Sequence, residues 1–138
     1  MRKKFQVASD LANVQKASAD VLSFLGPLSL SEASLFDIRL CLEEALINAM
    51  KYGHKLQKDL KVRLEILYND KEIKIIVEDQ GPGFDVRLLN DCTQIENMMK
   101  TCGRGVYLIH QLMDQVRYNE KGNSLLMVKK IRIIKQSA

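Results

Sequence analysis

The chain has 138 residues, 46% hydrophobic and 28% charged, with two prolines and seven glycines, a composition that excludes a disordered or fibrous protein and predicts one folded domain over residues 1–138. Its formal net charge of +4 is spread along the chain apart from short clusters at Arg2-Lys3-Lys4 and Lys129-Lys130, which argues against direct nucleic-acid binding. No segment is apolar enough for a signal core or a membrane span, and Cys41, Cys92 and Cys102 form no Cys-x-x-Cys pair, so the expected location is the reducing cytoplasm.

In chain order, residues 3–8 read as a first strand. Asp10 opens a helical stretch on which Leu11, Val14, Ala17 or Ser18, Val21, Leu22 and Leu25 recur at helical spacing, and Gly26-Pro27 ends it. Ser31 reads as the N-cap of a long helix with Glu32 in its first turn. Leu35, Ile38, Leu42, Ala45, Ala49 and Tyr52 mark its buried stripe, and Gly53 its stop. Residues 61–69 and 71–78 alternate as strands and form a hairpin at Asn69-Asp70. Residues 85–102 lose any period and read as a mobile lid. Val106, Ile109, Leu112 and Met113 then mark a helix, and a last hairpin joins residues 116–119 to 124–134 through Lys121-Gly122-Asn123. Helices on one side of a mixed, mostly antiparallel sheet make this an α+β protein, a two-layer α/β sandwich.

Three short motifs carry the chemistry. In Glu43-Glu44-Ala45-Leu46-Ile47-Asn48 the four-residue step puts Glu44 and Asn48 on one helix face, beside the small Ala45 and Ala49. An Asn amide oxygen suits Mg²⁺, which takes hard oxygen ligands, and a Glu one turn away can accept a proton from an attacking hydroxyl; the plainer alternative is a pair of solvated polar residues. In Asp79-Gln80-Gly81-Pro82-Gly83, directly after a strand, a carboxylate can accept the amine of adenine, while the glycines let backbone approach a ligand; the same letters also make an ordinary turn. Gly103-Arg104-Gly105 opens a helix whose first N–H groups suit phosphate, with Arg104 adding charge or pointing to solvent. His54 and His110 are single, have no metal-ligand spacing, and read as surface or packing residues.

In this order the motifs resemble the N-box and the two glycine boxes of the GHKL ATPase superfamily. The likeness covers most of the chain and is greatest to the single-domain anti-sigma-factor serine kinases of the RsbW and SpoIIAB type. It is carried by Gly105-Val106-Tyr107-Leu108-Ile109-His110-Gln111-Leu112-Met113-Asp114-Gln115-Val116 and by Gly122-Asn123-Ser124-Leu125-Leu126-Met127-Val128-Lys129-Lys130. The resemblance implies that Asn48 holds Mg²⁺, that Asp79 reads the adenine of ATP, that Gly81, Gly83, Gly103 and Gly105 shape pocket and lid, and that Glu44 is the general base. Ser124 falls where relatives often have a Thr near the adenine. The resemblance further implies a homodimer that sequesters a sigma factor and phosphorylates a serine or threonine of a STAS-domain antagonist. A nucleotide-gated binding module without kinase turnover is the alternative. Two departures stand out: Tyr52-Gly53-His54 replaces a His-Gly-Tyr-like run, and Arg104 replaces an apolar residue.

Overall fold

A computed structural model describes residues 1–55, 57, 59–82 and 103–131. The segment read as a lid, residues 85–102, lies outside them, as does the end of the last strand beyond Ile131.

Strand β1 (Arg2–Ala8) leads into a turn capped by Asp10, whose carboxylate accepts the Ala12 N–H at 3.0 Å. That turn is a 3₁₀ turn, Leu11–Asn13, so helix α1 (Val14–Phe24) starts later than the periodicity suggests. Leu11 is consequently exposed, while Val14, Ala17 and Val21 are buried. Ser31 caps α2 (Glu32–Asn48) as expected, its hydroxyl accepting the Ser34 N–H at 3.1 Å with Glu32 in the first turn. Ile38, Cys41, Leu42, Ala45 and Leu46 form the buried stripe of α2.

The α2 periodicity breaks after Asn48, where the backbone continues as a π turn, Ala49–Gly53. The wider turn rotates the residues that follow it. Tyr52, expected on the buried stripe, is 77% exposed, and His54, two residues on, is buried. Such π segments recur at functional sites.

Strands β2 (Lys61–Tyr68) and β3 (Glu72–Glu78) form the first hairpin, with Asn69 Oδ1 accepting from the N–H groups of Lys71 and Glu72. Helix α3 (Gly103–Leu112) is followed by β4 (Gln115–Tyr118) and β5 (Ser124–Lys130). In the last turn Asn119 Oδ1 accepts from the amides of Gly122, Asn123 and Ser124, with Gly122 at φ 80°. The five strands lie in the order β1-β2-β3-β5-β4. Where the sequence allows a mixed sheet, every pairing among the described residues is antiparallel.

Register puts like with like. Phe5 faces Leu64, Leu64 faces Val77 and Val77 faces Leu125, while Ile66, Ile75 and Met127 make the next row. This apolar face joins the buried side chains of α1, α2 and α3 in one core cluster. On the other face of the sheet Gln6, Arg63 and Lys74 are exposed, Leu67, Ile76 and Leu126 are half-buried, and Val128 is buried.

Candidate functional site

The site is built on the two ends of a short stretch of α2. At its last α-helical turn Glu44 and Asn48 are half-buried and face the start of α3. A Cβ placed on Gly105 would overlap Glu44 Oε2 and come within 3.6 Å of Asn48 Nδ2. Only glycine lets α3 begin this close to the carboxylate. The first and third motifs therefore meet, 57 residues apart as the difference between 105 and 48.

Beyond the π turn the chain meets the second motif. The Asp79 N–H continues the β3–β5 ladder by donating to the Asn123 carbonyl at 2.8 Å, and the Asn123 side-chain amide donates back to the Asp79 carbonyl at 3.1 Å. Asp79 Oδ1 accepts the Gly81 N–H at 2.8 Å. A Cβ on Gly53 would lie 2.5 and 2.7 Å from the two Asp79 carboxylate oxygens, and one on Gly81 would overlap the Gly53 carbonyl. Gly53, Asp79 and Gly81 thus interlock with no room for a side chain. Burial holds the Asp79 carboxyl above its ordinary value, opposed by the Gly81 N–H and by His54.

His54 is 1% exposed, and its Nε2 accepts the Gln80 N–H at 2.7 Å. Its ring fastens the π turn to the glycine-box turn. Of the two sequence readings, surface or packing, the exposed one fails, and the hydrogen bond was not anticipated. Neither was the role of Gly53, expected only as a helix stop. The signal available for both was the departure at Tyr52-Gly53-His54. His110 on α3 is half-buried, and burial lowers its pKa.

Ser124 opens β5 opposite Glu78, next to the Asn123 that holds Asp79. Gly103 and Arg104 are the first two residues of α3, but the Arg104 side chain lies outside what is described. Gly83 also lies outside the described residues. No three His, Cys, Asp or Glu side chains converge as a metal site among the described residues. Asn48 and Glu44 offer hard oxygen donors, a set that fits Mg²⁺ in the manner of sites completed by phosphate and water.

Residues 7–129 match the family described as the Histidine kinase-like ATPase domain. The chain belongs to that family. Similar proteins include the Serine-protein kinase RsbW of Staphylococcus epidermidis, 32% identical over 133 residues that cover 88% of this chain and 83% of the relative. The Serine-protein kinase RsbW of Listeria monocytogenes is 30% identical over 108 residues, 73% of this chain and 69% of the relative. The fold is similar to that in the crystal structure of the RsbU and RsbW domains of a Mycobacterium tuberculosis protein, with a TM-score of 0.63 at 12% identity. That likeness covers 96% of this chain and 32% of the larger one. Family membership makes this an ATPase-type domain, which uses ATP.

Proposed function

We propose that the chain is an ATP-dependent protein serine/threonine kinase and anti-sigma factor. It phosphorylates a STAS-domain antagonist and sequesters a sigma factor, acting as a single-domain, cytoplasmic homodimer. Among the described residues no helix is long and apolar enough to cross a membrane. The observation that carries the enzymatic reading is the close approach of Glu44 and Asn48 to Gly105; the likeness to the two RsbW serine-protein kinases supports the choice of acceptor.

In this reading Asp79 accepts the exocyclic amine of adenine, with Gly53 and Gly81 leaving the base edge unobstructed. Gly81 and Gly83 shape the turn beneath the nucleotide, and Ser124 supplies a hydroxyl near the base. The N–H groups at the start of α3, from Gly103 to Gly105, hold phosphate oxygens, because the first turn of a helix has donors without intrahelical partners. Arg104 adds positive charge there. Bound Mg²⁺ would offset phosphate charge, and the Asn48 amide oxygen would hold it. Glu44 takes the proton from the acceptor serine or threonine hydroxyl as that oxygen attacks the γ-phosphorus and the bond to the β,γ-bridging oxygen breaks.

The test is Glu44→Ala, measured by calorimetry for ATP and by label transfer from γ-labelled ATP to a STAS-domain acceptor protein. We expect affinity within about threefold of wild type and transfer lower by about 10²–10⁴-fold, the usual contribution of a positioned base. Undiminished transfer would remove Glu44 from this role. ATP binding and partner affinity switched by nucleotide, with no transfer even in wild type, would establish a nucleotide-gated binding module instead. Failure of wild type to bind ATP would end the proposal.

A further inference from the structure

His54 lies outside the three motifs, yet it is the most deeply buried ionisable ring among the described residues, at 1% exposure. It accepts the Gln80 N–H through Nε2 at 2.7 Å. That bond requires a lone pair on Nε2, so the ring is neutral and carries its proton on Nδ1. Nδ1 is itself buried and has no hydrogen-bond partner among the described residues. The ring is therefore held in this tautomer from one side only. The residue that it grips is flanked by Asp79 and Gly81, and the Gln80 side chain in turn accepts the Lys61 N–H at 3.2 Å.

We propose that His54 is a positioning residue for the nucleotide site: its imidazole fixes the Gln80 amide and thereby the Asp79 carboxylate. The inference rests on the reading of Asp79 as the adenine acceptor. Without that acceptor the Gln80 N–H loses its partner, and the Gln80 turn is free to shift. The Gly53 backbone, interlocked with Asp79 and Gly81, would carry that shift into the base-reading carboxylate.

The experiment measures ATP affinity by calorimetry at about pH 8 for wild type, His54→Phe and His54→Gln. Loss of a buried acceptor predicts that His54→Phe binds on the order of tenfold more weakly, while His54→Gln, whose amide oxygen can accept the same N–H, recovers most of the affinity. Equal loss in both variants with the fold intact would assign His54 to packing and overturn the inference, as would wild-type affinity in His54→Phe. If His54→Phe does not fold, imidazole nitrogen shifts of the wild type decide: a proton on Nε2 at about pH 8 overturns the inference, and a proton on Nδ1 alone supports it. Wild type that binds no ATP refutes the nucleotide reading itself, and this inference with it.

Discussion

A carboxylate that must meet a base edge is kept where ionisation is costly. Asp79 is half-buried, its pKa is raised first by desolvation, and the Gly81 N–H, His54 and Lys121 oppose that. A carboxyl with a raised folded-state pKa stabilises the fold below its unfolded value and loses that contribution as the pH rises through the folded value. At neutral pH the ionised side chain is therefore a burden to the fold. Asp79→Asn should have a thermal midpoint at pH 7 equal to or above that of wild type, and the variant's advantage should vanish in acid. In the same protein the amide, with its oxygen held by Gly81, turns donors toward adenine, and ATP affinity should drop roughly 10²-fold. Thermal unfolding at two pH values and calorimetry check both halves. Burial acts on Cys41 in the same sense: its thiol is pushed up to about 12, chiefly by desolvation, and so stays protonated at neutral pH.

At the scale of elements, α2 acts as a bracket. Its α-helical end faces the start of α3, and the π turn that follows reaches the end of β3. Gly105 is the contact on which the first of these depends. Gly105→Ala improves intrinsic helix propensity by about 1 kcal/mol, yet its methyl group would occupy the space of Glu44 Oε2. Because a side-chain rotation can relieve that overlap, stability should change by less than about 1 kcal/mol in urea unfolding. The displaced carboxylate no longer faces the acceptor, so phosphoryl transfer should fall by about 10²-fold. A variant with full transfer would show that Glu44 does not work from this position.

For the whole molecule, one lysine links three elements. Lys129 Nζ on β5 lies 3.2 Å from Asp37 Oδ2 on α2 and donates at 2.8 Å to the Leu112 carbonyl that ends α3. Both charged side chains are mostly shielded, at 17% and 24% exposure, so the pair exceeds the contribution of a surface ion pair. Lys129→Ala leaves a helix-terminal carbonyl and a carboxylate without their donor and should destabilise the fold by about 2–3 kcal/mol. A double-mutant cycle with Asp37→Ala should give a coupling above about 1 kcal/mol, the usual ceiling for exposed pairs. Additive effects would mean that Lys129 acts through Leu112 alone.

Local pattern alone determined the strands, the Ser31 cap and the Asn69 hairpin, because alternation and capping act within a few residues. It also determined that Glu44 and Asn48 share a face, since one helical turn sets that. The family was legible for the same reason: its motifs are short and each sits at the end of an element. Tertiary structure decided what local periodicity cannot carry. A π turn altered the helical phase after Asn48, sending Tyr52 outward and bringing in His54, whose partner Gln80 lies 26 residues away. The hold on Asp79 comes from Asn123, 44 residues on, and exists only because β5 pairs with β3. Hydrogen bonds and close backbone contacts of this kind depend on which strands become neighbours, and that is settled by packing of the whole apolar face rather than by any one segment.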